Sequence, residues 1–209
     1  MRQDLLYVSG LSKSYSQVPV LQDVSFSLRA GEALAVVGPN GAGKTTLLKC
    51  VAGIEDADDG VIELDGARLR ESDAATRAAM ACLLDDVDYF PDLSVIDHLT
   101  LYAWAHGTDD PDGTVASVLR ELDLHAAANQ LPITLSSGQR HRLGLASCLV
   151  RPRRLLLLDE PEQRLDAKGR AWLAERLQAE KAAGVAILFT SHDRELVGAA
   201  ADRTIEVAG

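Results

Sequence analysis

The sequence predicts an α/β fold: a mainly parallel sheet, with a β-rich edge at the front and a helical insertion in the middle. Three observations predict it. "ALAVVGPNGAGKTTLLKCVAG" reads as a buried strand (33–37), a Gly-rich turn and a helix ending near Gly53. After the basic turn "RPRR" the chain reads strand, helix, strand: "LLLL", "AKGRAWLAERLQAEKAA", "VAILFT". Strands that alternate with helices imply a parallel sheet with right-handed crossovers. From about residue 72 to 150 the apolar spacing is helical instead.

At the front, "LLYVSGL" and "DVSFSLRAGE" carry β-type residues bounded by Gly or polar turns. "DDGVIELDGARL" predicts a further hairpin with Gly60 and Gly66 as turn residues. Ser94 and Asp97 resemble a capping box that opens the helix "VIDHLTLYAWA". "GTDDPDG" (107–113) reads as a loop, and "TVASVLREL" and "QRHRLGLASCLV" as helices. The expected layout is one domain over 1–209. Its core and β lobe cover about 1–84 and 151–209, and a helical lobe covers about 85–150.

Composition narrows the function. The 209 residues are 47% hydrophobic, enough for a large core. A net charge of -10 argues against nucleic acid as a partner. Three widely spaced cysteines, Cys50, Cys82 and Cys148, suit neither a disulfide framework nor a zinc site, and read as reduced, cytosolic thiols. The N-terminus has no secretory h-region, and no apolar run approaches the roughly 20 residues that span a bilayer.

"GPNGAGKTT" (38–46) matches G-x-x-x-x-G-K-[ST] and lies between a buried strand and a helix, as a phosphate cradle requires. Gly41 and Gly43 let the backbone curl so that several N–H groups converge. The helix adds its positive N-terminal end. Lys44 supplies a full charge for β- and γ-phosphates, and Thr45 a hydroxyl for Mg²⁺. Gly38, Pro39, Asn40, Ala42 and Thr46 complete the expected nucleotide-binding stretch.

"LLLLDEP" (155–161) is an apolar strand that ends in Asp159 and Glu160. As a central strand of the same sheet, its tip opens at the carboxyl edge where ligands bind. Adjacent carboxylates there are costly without a cation nearby. Asp159 can hold Mg²⁺ through water, and Glu160 can orient or deprotonate an attacking water. "VAILFT" ends in Ser191 and His192 at the same edge, which adds His192 to the candidate site.

These motifs together resemble the ATP-binding cassette (ABC) ATPase subunits, a P-loop NTPase (RecA-like) family, over nearly the whole chain. "GPNGAGKTT" is similar to the Walker A motif and "LLLLDEP" to Walker B, with Glu160 as the catalytic glutamate. "LSSGQ" (135–139) resembles the signature motif, with Ser136, Ser137, Gly138 and Gln139 at the start of a helix. "RLDAKGR" (164–170) is similar to the D-loop, with Asp166. His192 falls at the switch histidine, and Tyr15 at the aromatic that stacks on adenine. The resemblance implies ATP and Mg²⁺ as ligands. It also implies a head-to-tail dimer with a second ABC ATPase subunit (homo- or heterodimer), whose signature motif completes the site.

The resemblance further implies a motor that drives a separate integral membrane permease, held peripherally at the cytoplasmic face of the membrane. A non-pumping module with slow hydrolysis is the alternative. The permease is expected to dock beside "VDYFPDLSV", with Tyr89 and Phe90 as contacts. The chain's compactness resembles small exporter-type ATPases. Four positions depart from the family pattern. Ser137 replaces a glycine. Asp85 stands where a glutamine is usual and becomes a candidate Mg²⁺ ligand. Glu162 and Arg164 replace the small residues that usually follow "DEP".

Overall fold

A computed structural model describes residues 4–70, 73–84 and 89–208. Two sheets organise them. The first is a four-stranded sheet of β1 (Leu6–Tyr15), β2 (Val18–Leu28), β4 (Asp59–Leu64) and β5 (Ala67–Arg68), in the order β2-β1-β4-β5. Its pairings are antiparallel. The second contains β3 (Ala33–Val37), β6 (Met80–Leu83), β7 (Leu155–Leu158), β8 (Ala186–Thr190) and β9 (Arg203–Glu206), in the order β6-β7-β8-β3-β9. All its pairings are parallel.

The helices are α1 (Lys44–Ala52), α2 (Ala74–Ala79), α3 (Val95–Ala105), α4 (Pro111–Glu121), α5 (Ser137–Leu149), α6 (Ala167–Ala182) and α7 (Arg194–Ala200). Among the described residues none is long and apolar enough to cross a membrane.

The parallel sheet is buried on both faces, which explains its continuous apolar strands. Side chains alternate between two cores at the strand period of two. Leu156, Leu158, Ile187 and Phe189 enter one core with α3, α4, α5 and α6. Leu155, Leu157, Ala186 and Leu188 enter the other, against α1 and the antiparallel sheet. "LLLL" is therefore an interior strand whose four leucines are all buried.

The helix of the cradle obeys its local signals. Gly53 caps α1 in the left-handed region at φ 78°, and Lys49 lies in the last turn. Ser94 opens α3 by accepting from Asp97 N–H at 3.3 Å, while its hydroxyl donates to the Asp97 carboxylate at 2.5 Å. Only half of a capping box forms there.

Several expectations need correction. Residues 80–83 lie in the stretch read as helical but form β6, parallel to β7. Four residues are too few for periodicity to separate strand from helix, and pairing decides. Residues 111–113, read as loop, are the first turn of α4. Pro111 suits that position and Asp110 caps it by accepting from Gly113 N–H at 3.1 Å. Gly60 is not a turn residue but sits in β4 at φ 100°, where an added Cβ would lie 2.7 Å from the Gly10 backbone. The strand β9 had no sequence expectation, because "RTIE" is short and half polar. Cys50, Cys82 and Cys148 are free thiols.

Candidate functional site

The P-loop is shaped by close backbone approach. Gly43 holds φ 95°, and a Cβ there would lie 2.8 Å from Val20 Cγ1 and 2.9 Å from Val20 O. Only glycine lets α1 begin this close to β2. Lys44 follows immediately and is buried, 6% exposed. Its ammonium folds back and donates to Gly38 O and Pro39 O, both at 3.1 Å. The charge is thus held over the loop where a phosphate would sit.

Three parallel strand ends converge on this loop. Thr45 Oγ1 donates to Asp159 Oδ2 at 2.6 Å, which ties the start of α1 to the tip of β7. Thr190, the last residue of β8, donates to Asp159 Oδ1 at 2.5 Å and accepts from Glu160 N–H at 2.8 Å. Glu160 adopts φ 46°, a left-handed conformation costly for a residue with a Cβ. Its carboxylate meets His192 Nε2 at 3.2 Å through Oε1 and accepts from Gln163 Nε2 through Oε2. Glu162 Oε1 accepts from Ser191 Oγ and from His192 N–H.

A cleft of about 570 Å³ opens above these groups. It is lined by Tyr15, Val20, Asn40, Gly41, Gly43, Lys44, Thr45, Thr46, Glu160 and His192. Tyr15 ends β1, with the ring 44% exposed and Lys13 Nζ 5.5 Å from its centroid. Its hydroxyl donates to the Glu55 carboxylate, and that contact holds the phenol pKa above its ordinary value.

The remaining candidates lie elsewhere. Ser136 to Gln139 do not line the cleft. They cap α5: Ser136 Oγ accepts from Gln139 N–H at 3.2 Å, and Gln139 Oε1 accepts from Ser136 N–H at 2.9 Å. Ser137 is the first helical residue, and Ser136 and Ser137 are exposed. Asp166 caps α6 by accepting from Gly169 N–H at 2.8 Å and pairs with Arg142 of α5 at 3.5 Å. Asp85 lies outside the described residues. Phe90 is exposed, with its ring against His98 and Tyr102. Sequence reasoning missed Thr190 and Gln163 and named Glu162 only as a departure. A hydroxyl closing the apolar run "VAILFT" was the available signal for Thr190.

The residues suit a magnesium ion. Thr45 and Asp159 offer hard oxygens 2.6 Å apart, and Mg²⁺ takes one or two carboxylates with waters and substrate phosphates. Among the described residues no group of three or more His, Cys, Asp and Glu could hold a metal by itself.

Comparison with known proteins gives the family. Residues 21–163 match the ABC transporter family. The SkfA peptide export ATP-binding protein SkfE of Bacillus subtilis is 34% identical over 96% of this chain and 84% of its own length. The cytochrome c biogenesis ATP-binding export protein CcmA of Rhodobacter capsulatus is 39% identical over 90% of this chain and 81% of its own. Among import relatives, a spermidine/putrescine import ATP-binding protein PotA of Pseudomonas aeruginosa is 32% identical, and the chain spans 54% of it. A solved ATP-binding subunit of an ABC transporter superposes with TM-score 0.90 at 29% identity, covering 98% of this chain and 86% of that one. A dimeric bacterial ABC transporter cassette superposes with TM-score 0.86 at 19% identity, covering 97% and 94%, and shows the fold alone. The chain belongs to the ABC transporter family, as one of its ATP-binding, ATP-hydrolysing subunits.

Proposed function

We propose that the chain is the motor of a transporter. It binds Mg·ATP in the cleft, dimerises head to tail with a second ABC ATPase subunit, hydrolyses the nucleotide, and so drives an integral membrane permease on another chain. The observation that carries this reading is the meeting of Thr45, Asp159, Glu160 and His192 at one sheet edge.

Each residue then has a task. The backbone N–H groups of Asn40 to Thr46 and the ammonium of Lys44 bind the phosphates, with Tyr15 beside the base. Thr45 and Asp159 hold the magnesium ion, which when bound neutralises charge developing on the phosphate oxygens. Glu160 takes a proton from the attacking water. His192, 3.2 Å from Glu160 Oε1, orients that carboxylate. Gln163 occupies the other oxygen and has to yield before Glu160 can use both. Ser136 to Gln139 and Asp166 serve the partner's nucleotide. Their absence from this chain's own cleft lining favours a site shared between two copies.

The chain sits at the cytoplasmic face of the membrane through its permease, which docks beside residues 87–95, of which 87 and 88 lie outside the described residues. The relatives matched at 34% and 39% identity carry export names, which supports outward transport.

The test is Glu160→Gln. The amide keeps the shape and removes the base. Hydrolysis should fall by at least roughly 10²-fold, the lower end for general-base catalysis. ATP binding should persist, and an ATP-dependent dimer should appear on size-exclusion chromatography. A monomer with full turnover would overturn the reading.

A further inference from the structure

We propose that Glu162 is a positioning residue for hydrolysis. It fixes the side chain of Ser191 and the main chain of His192 against the turn that carries Glu160. The proposal rests on the reading of Glu160 and His192 as a working pair.

The loop that presents His192 has little else to hold it. Strand β8 ends at Thr190 and α7 begins at Arg194. Between them, side chains satisfy the main-chain donors of His192 and Asp193. His192 N–H donates to Glu162 Oε1 at 3.2 Å. Asp193 N–H donates to Ser191 Oγ at 2.9 Å, and that hydroxyl donates onward to the same Glu162 oxygen. One carboxylate oxygen therefore anchors two donors of a three-residue loop. Asp193 is held in turn as the cap of α7, accepting from Glu195 and Leu196 N–H.

The carboxylate is an expensive way to build a turn. Glu162 Oε2 is buried and, among the described residues, has no hydrogen-bond partner. Burying half of an ionised group unpaired costs stability that a small neutral side chain would not lose. What the fold receives in exchange is a link running opposite to the one from Thr190. Thr190 reaches from β8 to Asp159 and Glu160, and Glu162 reaches from the turn after β7 to Ser191 and His192. Together they hold the two strand tips in one register, and so keep the imidazole at 3.2 Å from Glu160. A misplacement of about 1 Å at such a contact can cost up to 10²-fold in rate.

The experiment is a double-mutant cycle on the full chain. It measures ATPase kcat, KM for Mg·ATP and nucleotide affinity for Glu162→Ala, His192→Ala and the pair. Glu162→Ala should lower kcat about tenfold and leave KM within about twofold, since the clasp touches no phosphate contact. Glu162→Gln keeps an acceptor oxygen and should recover most of that loss. In the His192→Ala background, Glu162→Ala should cost less than about twofold more. An equal loss in both backgrounds overturns the clasp and leaves the Glu160–His192 reading standing. A silent His192→Ala overturns that reading, and the clasp with it. Should Glu162→Ala be unstable, Ser191→Ala, which removes one donor and keeps the carboxylate, runs the same cycle with the same criterion.

Discussion

Thr190 joins two functional neighbours through one hydroxyl. It donates to Asp159 Oδ1 at 2.5 Å and accepts from Glu160 N–H at 2.8 Å. Asp159, the proposed magnesium ligand, and Glu160, the proposed general base, are therefore set by the same atom, on a strand that carries neither.

Thr190→Val keeps the β-branched shape in a fully buried strand and removes that hydroxyl. Asp159 loses a donor and Glu160 N–H loses its acceptor. Stability should fall by about 1–3 kcal/mol, the cost of leaving polar partners unsatisfied. Turnover should fall further than that implies, with a weaker Mg²⁺ response. Urea denaturation and Mg²⁺-titrated ATPase assays check both. Unchanged Mg²⁺ dependence would show that Asp159 needs no support from β8.

Lys44→Ala removes the one lysine or arginine that lines the cleft among the described residues. ATP affinity should fall at least about tenfold, because a charge-assisted contact to phosphate contributes about 1.5–3 kcal/mol. The melting temperature without nucleotide should fall modestly, since Gly38 O and Pro39 O lose the Lys44 ammonium while Gly43 against Val20 keeps the course of the loop. Isothermal titration and thermal melting separate the two effects. Retained tight Mg·ATP binding would sink the P-loop assignment.

Three histidines predict acid sensitivity. Burial lowers the pKa of His98, His106 and His141 below the ordinary 6.5. A group whose folded pKa is depressed binds protons more readily when unfolded. Its contribution is therefore whole above 6.5 and is lost as pH falls from there toward the folded value. His98 is the sharpest case. It is fully buried, with Nε2 3.3 Å from Ser147 Oγ and Nδ1 unpartnered among the described residues. His98→Phe keeps a ring between Phe90 and Tyr102, while Ser147 keeps its bond to Leu143 O at 3.0 Å. Denaturation midpoints between about pH 7.5 and 5.5 should fall less steeply in that variant. An identical slope would assign the sensitivity to other groups.

The parts of the fold legible in the sequence were those with a local physical cause. Strand 33–37, the P-loop and the cap at Gly53 follow from an apolar run, a steric demand for glycine and a left-handed helix end. The four leucines of β7 were legible because burial on both faces leaves no polar position. Strands β6 and β9 were not, because "MACL" and "RTIE" become strands only through partners distant in the chain. The start of α4 was lost to "DDPDG", whose turn-like composition also suits a capped helix with proline in its first turn. The site followed the same division. Lys44, Asp159 and Glu160 announce themselves by charge beside apolar strands or glycine. Thr190 and Gln163 act only through what the sheet sets beside them.

The proposed shared site admits a direct test, because its two candidate halves lie apart within one chain. Gly138 lies in the first turn of α5 and does not line the cleft, with Arg164 O 3.3 Å from where a Cβ would sit. Its backbone is helical, so alanine adds a methyl that displaces Arg164 O by a few tenths of an ångström, at the surface proposed to meet the partner's nucleotide. Gly138→Ala should bind ATP normally as an isolated chain and hydrolyse it at least about tenfold more slowly, the cost of one misplaced transition-state contact being of that order or larger. Lys44→Ala is inactive for the opposite reason, lacking its own phosphate contact. In a head-to-tail dimer of one variant with the other, one site joins both defects, and the second joins an intact P-loop to an intact signature helix. Random mixing should then restore about a quarter of the wild-type sites, since half the dimers are mixed and each has one sound site. ATPase assays on equimolar mixtures, against each variant alone, read this directly. If both motifs served the same chain's nucleotide, no mixture would exceed the average of its components.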